Sequence, residues 1–555
     1  MKIKLKLGPR EEWRDYAFVD GMRVEDVYKA FKEDLPYSIY AANVDNDYKD
    51  LNYLLKDGSE VELLDIRTQA ANYVYQYSLT LLLLRAVNTV WGESAQIVIQ
   101  NSLNKGLYIE AQKKHGISDE DVSAVDREMR RLVEADLPII LEQVSRDEAI
   151  RILSEDGMEE KKRILQEELN LKTVRFYTLD GYRDFFYGLM VPSTGYLRHF
   201  ELLKYRKGLL LRFPHPSNPD VIPEFREENQ MYRTFAEQKI WDGLLGINYV
   251  FDLNEKISSG EYVDLMLLSE ALHEKKISQI ADQIKRQKKR IVLIAGPSSS
   301  GKTTFARRLC IQLRVNGLSP LYMGTDDYFV ERADTPLDEY GEPDFENLRA
   351  LDIELFNSNM NDLLNGKEVD LPSFDFLVGT KTFGKRKISI KSDQPIVIEG
   401  IHALNDELTP YIPKDEKFKI YISPLTQLNI DPHNRVPTTD ERMLRRMVRD
   451  SQFRGHDAKS TIASWHKVRA GEDKNIFPYS DEADVLFNSY HVYEIAVLKK
   501  YAKPLLEQVG PDEDEYAEAR RLLRFLRFFR EIEDDSVIVN NSIIREFVGG
   551  SIFVD

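Results

Sequence analysis

The octapeptide Gly296-Pro297-Ser298-Ser299-Ser300-Gly301-Lys302-Thr303, set directly after the apolar run Ile291–Ala295, constrains this chain more than any other feature. It fits G-x-x-x-x-G-K-[ST]. Ile291–Ala295 has no polar position, which predicts a strand buried on both faces, and the stripe Phe305, Leu309, Leu313 predicts a helix just after the loop. Between strand and helix, the glycines let the backbone curl so that successive N–H groups point inward, and the helix N-terminus adds partial positive charge. Such a cavity suits phosphate oxygens. Gly296, Ser298, Ser299, Ser300, Gly301, Lys302, Thr303 and Thr304 are therefore candidates for nucleotide binding, with Lys302 reaching the β- and γ-phosphates and Thr303 ligating Mg²⁺.

From Arg290 onward, short apolar runs at 291–295, 321–323, 396–398, 418–422 and 483–487 alternate with helical segments, which predicts an α/β fold on a parallel sheet. The 555 residues allow roughly three to four domains. Residues 1–67 read as a small unit with a period-two strand at its start, a helix over Val24–Phe31 and short strands near 41–44 and 60–64. A helical pattern starts near Asn72 and another runs over 120–153, followed by a strand-like aromatic segment over 174–213. The stretch Phe213-Pro214-His215-Pro216-Ser217-Asn218-Pro219 breaks the pattern, and helical linker segments over 222–243 and 262–287 lead to the strand at 291. Residues 506–555 read as an acidic helical tail with a short β segment around Ser536-Val537-Ile538-Val539.

Composition narrows the class. With 76 basic and 93 acidic side chains the net charge is −17, which argues against a chain that works mainly by coating nucleic acid or anionic membrane. The lone Cys310 excludes a disulfide framework and a Cys-rich metal site, and reads as an inert packed thiol. The run Leu81 to Leu84 is cut by Arg85 and is far too short to span a bilayer. The alternating start is a strand, not a signal peptide, so a cytoplasmic protein with no membrane contact is expected.

Other candidates stand where α/β sheets place chemistry. Asp326 and Asp327 follow the second strand, where a carboxylate could take a hydroxyl proton; a solvated acidic turn is the alternative. Glu399 caps the third strand, placed for Mg²⁺ through water or simply ending the strand. Arg442, Arg446 and Arg449 share one helical face and Arg454 follows; beside a phosphate loop they read as a mobile lid over the transferring phosphoryl, and elsewhere as a solvated basic face.

In this order the pieces resemble the uridine kinase/phosphoribulokinase family, over about residues 288–505. The resemblance implies Asp326 as general base, from Asp326-Asp327-Tyr328-Phe329, and Glu399 as the Mg²⁺-linked acid of Glu399-Gly400-Ile401. It also implies that Glu346, in Phe345-Glu346-Asn347, meets ribose hydroxyls, and that Arg446, Arg449 and Arg454 contact substrate and phosphate. In the base-reading segment Pro372-Ser373-Phe374-Asp375-Phe376-Leu377-Val378-Gly379, Phe374 keeps a stacking ring without the hydroxyl, and Gly379 stands where that family has a base-contacting histidine. Losing both partners removes hydrogen-bonded discrimination. The implied activity is an ATP- and Mg²⁺-dependent nucleoside kinase of uridine type, with a purine nucleoside or a non-nucleoside polyol as alternative acceptors.

The front half resembles threonyl-tRNA synthetase: residues 1–67 its TGS domain, residues 68–215 its editing domain. The anchor is Asp184-Phe185-Phe186-Tyr187-Gly188-Leu189-Met190-Val191-Pro192-Ser193-Thr194-Gly195. The editing domain's four metal-ligand positions fall on Leu81, Arg85, Phe186 and Met190, none of which can bind such a cation. A structural or regulatory module is expected, with RNA contact through this half as the open alternative. There the nucleotide site would act as a switch. The cluster Lys285-Arg286-Gln287-Lys288-Lys289-Arg290 reads as a solvated helix end, with RNA contact as the alternative.

Overall fold

The structure is a computed structural model that describes every residue except Arg10, Glu93, Ser94, Lys114, Leu169, Asn170, Asp220, Asp338, Glu339, Tyr340, Glu342, Phe376, Leu377 and Asp555. Phe376 and Leu377 of the base-reading segment thus lie outside the described residues. At the front, Lys2–Lys6 alternates exposed Lys2 and Lys4 with buried Ile3 and Leu5. It pairs antiparallel with Arg14–Ala17 and parallel with Glu60–Asp65. Ile39–Val44 and Asp47–Lys49 complete a five-stranded sheet, and the Val24–Phe31 helix buries Val24, Val27 and Tyr28. This is the expected ubiquitin-like β-grasp.

Helix α1 (Gln69–Trp91) is the spine of the second unit, with Leu81, Leu82 and Leu83 fully buried. Among the described residues no helix is long and apolar enough to cross a membrane. Around the spine lie a four-stranded sheet (Gln96–Leu103, Gly106–Gln112, Glu201–Tyr205, Gly208–Arg212) and a three-stranded one (Ile139–Ser145, Thr173–Leu179, Tyr182–Phe185). The helix expected over 120–153 is corrected here to Asp119–Glu134, a strand Ile139–Ser145 and a second helix Arg146–Glu155. The strand exists because Thr173–Leu179 pairs with its whole length, a partner that local spacing does not reveal. The Gln96–Gln112 hairpin is absent from the sequence reading although its signals are present. Ile97, Ile99 and Leu103 alternate inward, and Asn104-Lys105 turn with φ of 53° and 54°.

A second five-stranded sheet is parallel, in the order β2-β3-β1-β4-β5: β1 Ile291–Ala295, β2 Leu321–Gly324, β3 Ile396–Glu399, β4 Lys417–Ser423 and β5 Val485–Asn488. All five expected strands are there, and β1, buried at every residue, lies at the centre. Helix α2 (Tyr262–Arg286) packs Ile277, Ile280 and Ile284 into the same core as Phe305, Leu309 and Leu313 of α3 (Lys302–Val315). Helices α4 (Thr438–Phe453) and α5 (Ala458–Asn475) follow. The tail is helical over Tyr516–Leu526, but residues 536–539 form turns, not the expected β segment. Ile538, Ile543, Ile544 and Phe547 are satisfied by burial in the kinase-like core, so no strand partner is required, and they carry α6 (Arg545–Val548) onto the phosphate loop.

The halves are locked by a buried charge cluster. The Lys161 ammonium meets the Asp184 carboxylate, whose other oxygen lies 2.6 Å from His433 Nδ1. Burial by itself would raise the Asp184 carboxyl; Lys161 and His433 overcome it and hold it at about 2. The Ile99 amide also donates to the Pro432 carbonyl at 2.8 Å. Leu81, Phe186 and Met190 all pack into the second unit's apolar core, and Arg85 pairs with Asp180 at 2.9 Å. Cys310 on α3 is 6% exposed, and burial pushes its thiol up to about 11. Iodoacetamide at pH 8 is expected to leave the native chain unlabelled and to alkylate Cys310 in urea, read by intact mass.

Candidate active site

The phosphate loop follows from two backbone constraints. A Cβ on Gly296 would stand 2.0 Å from the Ile422 carbonyl oxygen, and Gly301 takes φ +82° to open α3. Between them Ser299 is also left-handed, at φ +59°. Lys302 folds back over the curl, donating to the Gly296 and Pro297 carbonyls at 2.9 and 3.2 Å. Burial pulls its ammonium below the ordinary value, opposed by Glu399, Glu546, Asp326 and Glu472.

The loop amides hold anionic oxygens of the chain itself. Ser298 N–H donates to Glu472 Oε1 at 3.0 Å. Thr304 N–H and its hydroxyl donate to Glu546 Oε2 at 3.3 and 2.7 Å. These contacts agree with the physics of an amide nest at a helix N-terminus, which favours negative charge.

On one side of the loop stand the acids. Thr303 Oγ1 and Tyr322 OH both donate to Glu399 Oε1 at 2.8 Å. Asp326 is exposed, yet partial shielding from bulk water and the nearby Glu399 push its carboxyl up to about 6, with Lys302 pulling the other way. Its neighbour Asp327 is engaged elsewhere, paired with Arg386 at 2.6 Å. Asp327 is thus tied to Arg386, whereas Asp326 interacts with Thr325, Glu399 and Lys302.

On the other side α4 is clamped to the loop. Arg442 Nε donates to the Ser298 carbonyl at 3.1 Å, Arg445 Nη1 to the Ser299 carbonyl at 3.2 Å, and Arg446 Nη1 to Ser298 Oγ at 2.9 Å. Arg445 is wholly buried between Glu441 and Glu494. Asp450 gathers Arg446, Arg449 and Arg454 at 3.3, 2.8 and 3.6 Å, leaving Arg454 the most exposed of the three. The arginine row is thus anchored on the loop through Arg442, Arg445 and Arg446 and is not a free-standing lid in this structure. Glu346 abuts Gly471 on α5; burial and nearby Glu472 raise its carboxyl, against Lys302 and Arg446.

The base-reading segment has a different logic from the one expected. Phe374 is buried and its ring lies 5.7 Å from Phe329, which in turn meets Phe345 at 6.0 Å. Gly379 has φ +78°, and a Cβ there would stand 2.8 Å from Arg332 Cβ. Glycine is demanded by the turn, and the Arg332 side chain fills the space beside it. Phe329, Phe345 and Phe374 thus form an aromatic cluster.

Sequence reading missed Glu472, Glu546, Asp450 and the loop-bracing role of Arg442 and Arg445. Glu472 and Glu546 are 174 and 242 residues from their loop partners. No local pattern marks them. Asp450 had a signal, since it lies four residues after Arg446 and four before Arg454.

Comparison with known proteins agrees with this two-part build. Residues 291–496 match the phosphoribulokinase/uridine kinase family. The N-terminal half is similar to threonine-tRNA ligases: 28% identity over 203 residues with that of Syntrophomonas wolfei, covering 37% of this chain and 31% of the enzyme. With that of Marinobacter nauticus it is 28% over 188 residues, 34% of this chain and 29% of the enzyme. The chain thus spans about a third of the length of these curated relatives. Among solved structures, a possible uridine kinase from Bacillus stearothermophilus is 23% identical at TM-score 0.24, covering 36% of this chain and 88% of that one. D-glycerate 3-kinase from Cryptococcus neoformans is 14% identical at TM-score 0.21, covering 49% and 88%.

Proposed function

We propose that this chain, a small-molecule-kinase-family domain behind a synthetase-like front half, is an ATP-dependent phosphotransferase whose acceptor is a nucleoside hydroxyl. The observation that carries the reading is the raised carboxyl of Asp326, which feels both Glu399 and Lys302, while Thr303 bonds that same Glu399. Asp326 takes the acceptor's proton, its oxygen attacks the terminal phosphorus in line, and ADP leaves. The loop amides and Lys302 bind the phosphate tail, while Arg446, Arg449 and Arg454 face the charge it carries. Thr303 Oγ1 and Glu399 are hard oxygen donors that fit Mg²⁺, which supplies charge neutralisation when bound.

The Phe329–Phe345–Phe374 cluster supports a planar ring in the acceptor. The Gly379 turn, with no base-reading side chain, supports tolerance among bases and keeps a non-nucleoside polyol as the second reading. The test is acceptor-stimulated ADP release, compared as kcat/KM across pyrimidine nucleosides, purine nucleosides and polyols. A basal rate unmoved by every acceptor would end the kinase reading.

Glu546 sits on an amide that nucleotide phosphate also requires. Glu546→Gln is expected to lower the Kd for ADP by about threefold to tenfold in calorimetry, since one charged competitor is lost. A rise in Kd would instead make Glu546 a helper of nucleotide binding.

A further inference from the structure

Between the two halves lies a cavity of about 460 Å³ that the phosphoryl-transfer site does not use. Asn72 and Tyr73 of α1 form part of one wall; Tyr421 at the end of β4, together with Arg435 and Arg442, forms part of the other. The volume suits a compact organic molecule, and the tyrosine rings give it an apolar face.

Acids line it too, Glu224, Glu228, Asp473 and Asp481, but none of them pairs with Arg435. Among the described residues no carboxylate lies within ion-pair distance of Arg435, and its Nε is buried without a hydrogen-bond partner. That guanidinium feels the charge of Asp440, but both oxygens of Asp440 are taken. Arg521 holds them at 2.7 Å each, and Tyr73 OH adds a bond at 3.1 Å. Asn72, 3% exposed on the same wall, has an amide nitrogen that is likewise unpartnered. A secluded cation and an idle amide donor are costly unless something supplies oxygen acceptors. A guanidinium fork matches a carboxylate or phosphate geometrically.

The cavity also touches the phosphate loop through one residue. Arg442 lines it, donates to the Ser298 carbonyl at 3.1 Å and pairs with Glu472, which accepts the Ser298 N–H. Anything seated against Arg442 bears on the loop.

We propose that this inter-half cavity binds a small organic oxyanion, a carboxylate or a phosphate monoester, held by Arg435 and Asn72 and sensed by the phosphate loop through Arg442. This site would make the synthetase-like half one wall of an effector pocket, whatever acceptor the kinase-like half uses.

The test is calorimetric titration of the full chain carrying Lys302→Ala, which weakens the loop as a competing anion site, with citrate and with glycerol 3-phosphate at constant ionic strength. Saturable binding of citrate alone, of the phosphate ester alone, or of both supports the proposal and identifies the headgroup. Arg435→Gln added to that background is expected to raise the Kd at least about tenfold, and Arg435→Lys, which keeps charge without the fork, to raise it too. Unchanged circular dichroism keeps those losses from being unfolding. No binding by either probe, or binding that survives Arg435→Gln and Asn72→Ala, overturns the site. Because the readout is binding and not turnover, its failure is separate from any failure of the kinase reading.

Discussion

Asp326→Asn is expected to lower kcat by about 10²- to 10⁴-fold while leaving ADP affinity within about threefold, the usual range for removing a general base that does not bind the nucleotide. The wild-type rate should fall as pH drops through about 6, because shielding and Glu399 hold the carboxyl there and only its ionised form accepts a proton. In the asparagine variant that acidic limb should vanish from the residual rate. Stability moves the other way. A carboxyl raised from 3.8 in the unfolded chain to about 6 in the folded one favours folding in acid, and that contribution is lost as pH climbs through about 6. Asparagine carries no charge to shield at pH 7.5, so the variant's Tm there should not fall. A wild-type rate in Asp326→Asn would remove this aspartate from the chemistry; loss of rate with a collapsed Tm would point to folding.

Lys302→Ala is expected to cost about 10²- to 10³-fold in kcat, in the range of a lost preorganised donor at developing charge, and to weaken ATP as well. The side chain has no structural substitute. Its ammonium is buried, caps the loop by donating to the Gly296 and Pro297 carbonyls, and is surrounded by Glu399, Glu546, Asp326 and Glu472. Removing it leaves those acids facing incoming phosphate with no compensating cation, so binding and turnover should fail together. Lys302→Arg should not restore the rate, because a planar fork does not fit where a compact ammonium turns back on its own loop. Steady-state kinetics with ATP titrated at saturating acceptor separates the two effects. Undiminished turnover in both Lys302→Ala and Asp326→Asn would close the phosphotransferase proposal.

Much of the kinase-like half could be read from residues close together in the chain. The continuous apolar strand Ile291–Ala295, the glycine positions 296 and 301 and the Phe305, Leu309, Leu313 stripe are each decided within one turn or one strand, where steric and burial requirements act locally. The β-grasp start was legible for the same reason, from one alternating strand. The choice of Asp326 over Asp327 came from resemblance; the Arg386 pair gives it a physical basis, from a partner 59 residues away.

Tertiary structure decided what depends on distant partners. Residues 139–145 are a strand only because Thr173–Leu179 comes to pair with them. Residues 536–539 are turns because the following isoleucines and Phe547 find a core. Glu472 and Glu546 reach the phosphate loop, and Arg435 is left without an anion, only once the two halves and the tail are packed together. Spacing along a chain determines which face a residue takes; which charge it then meets, or lacks, is set by burial against segments that no local pattern names.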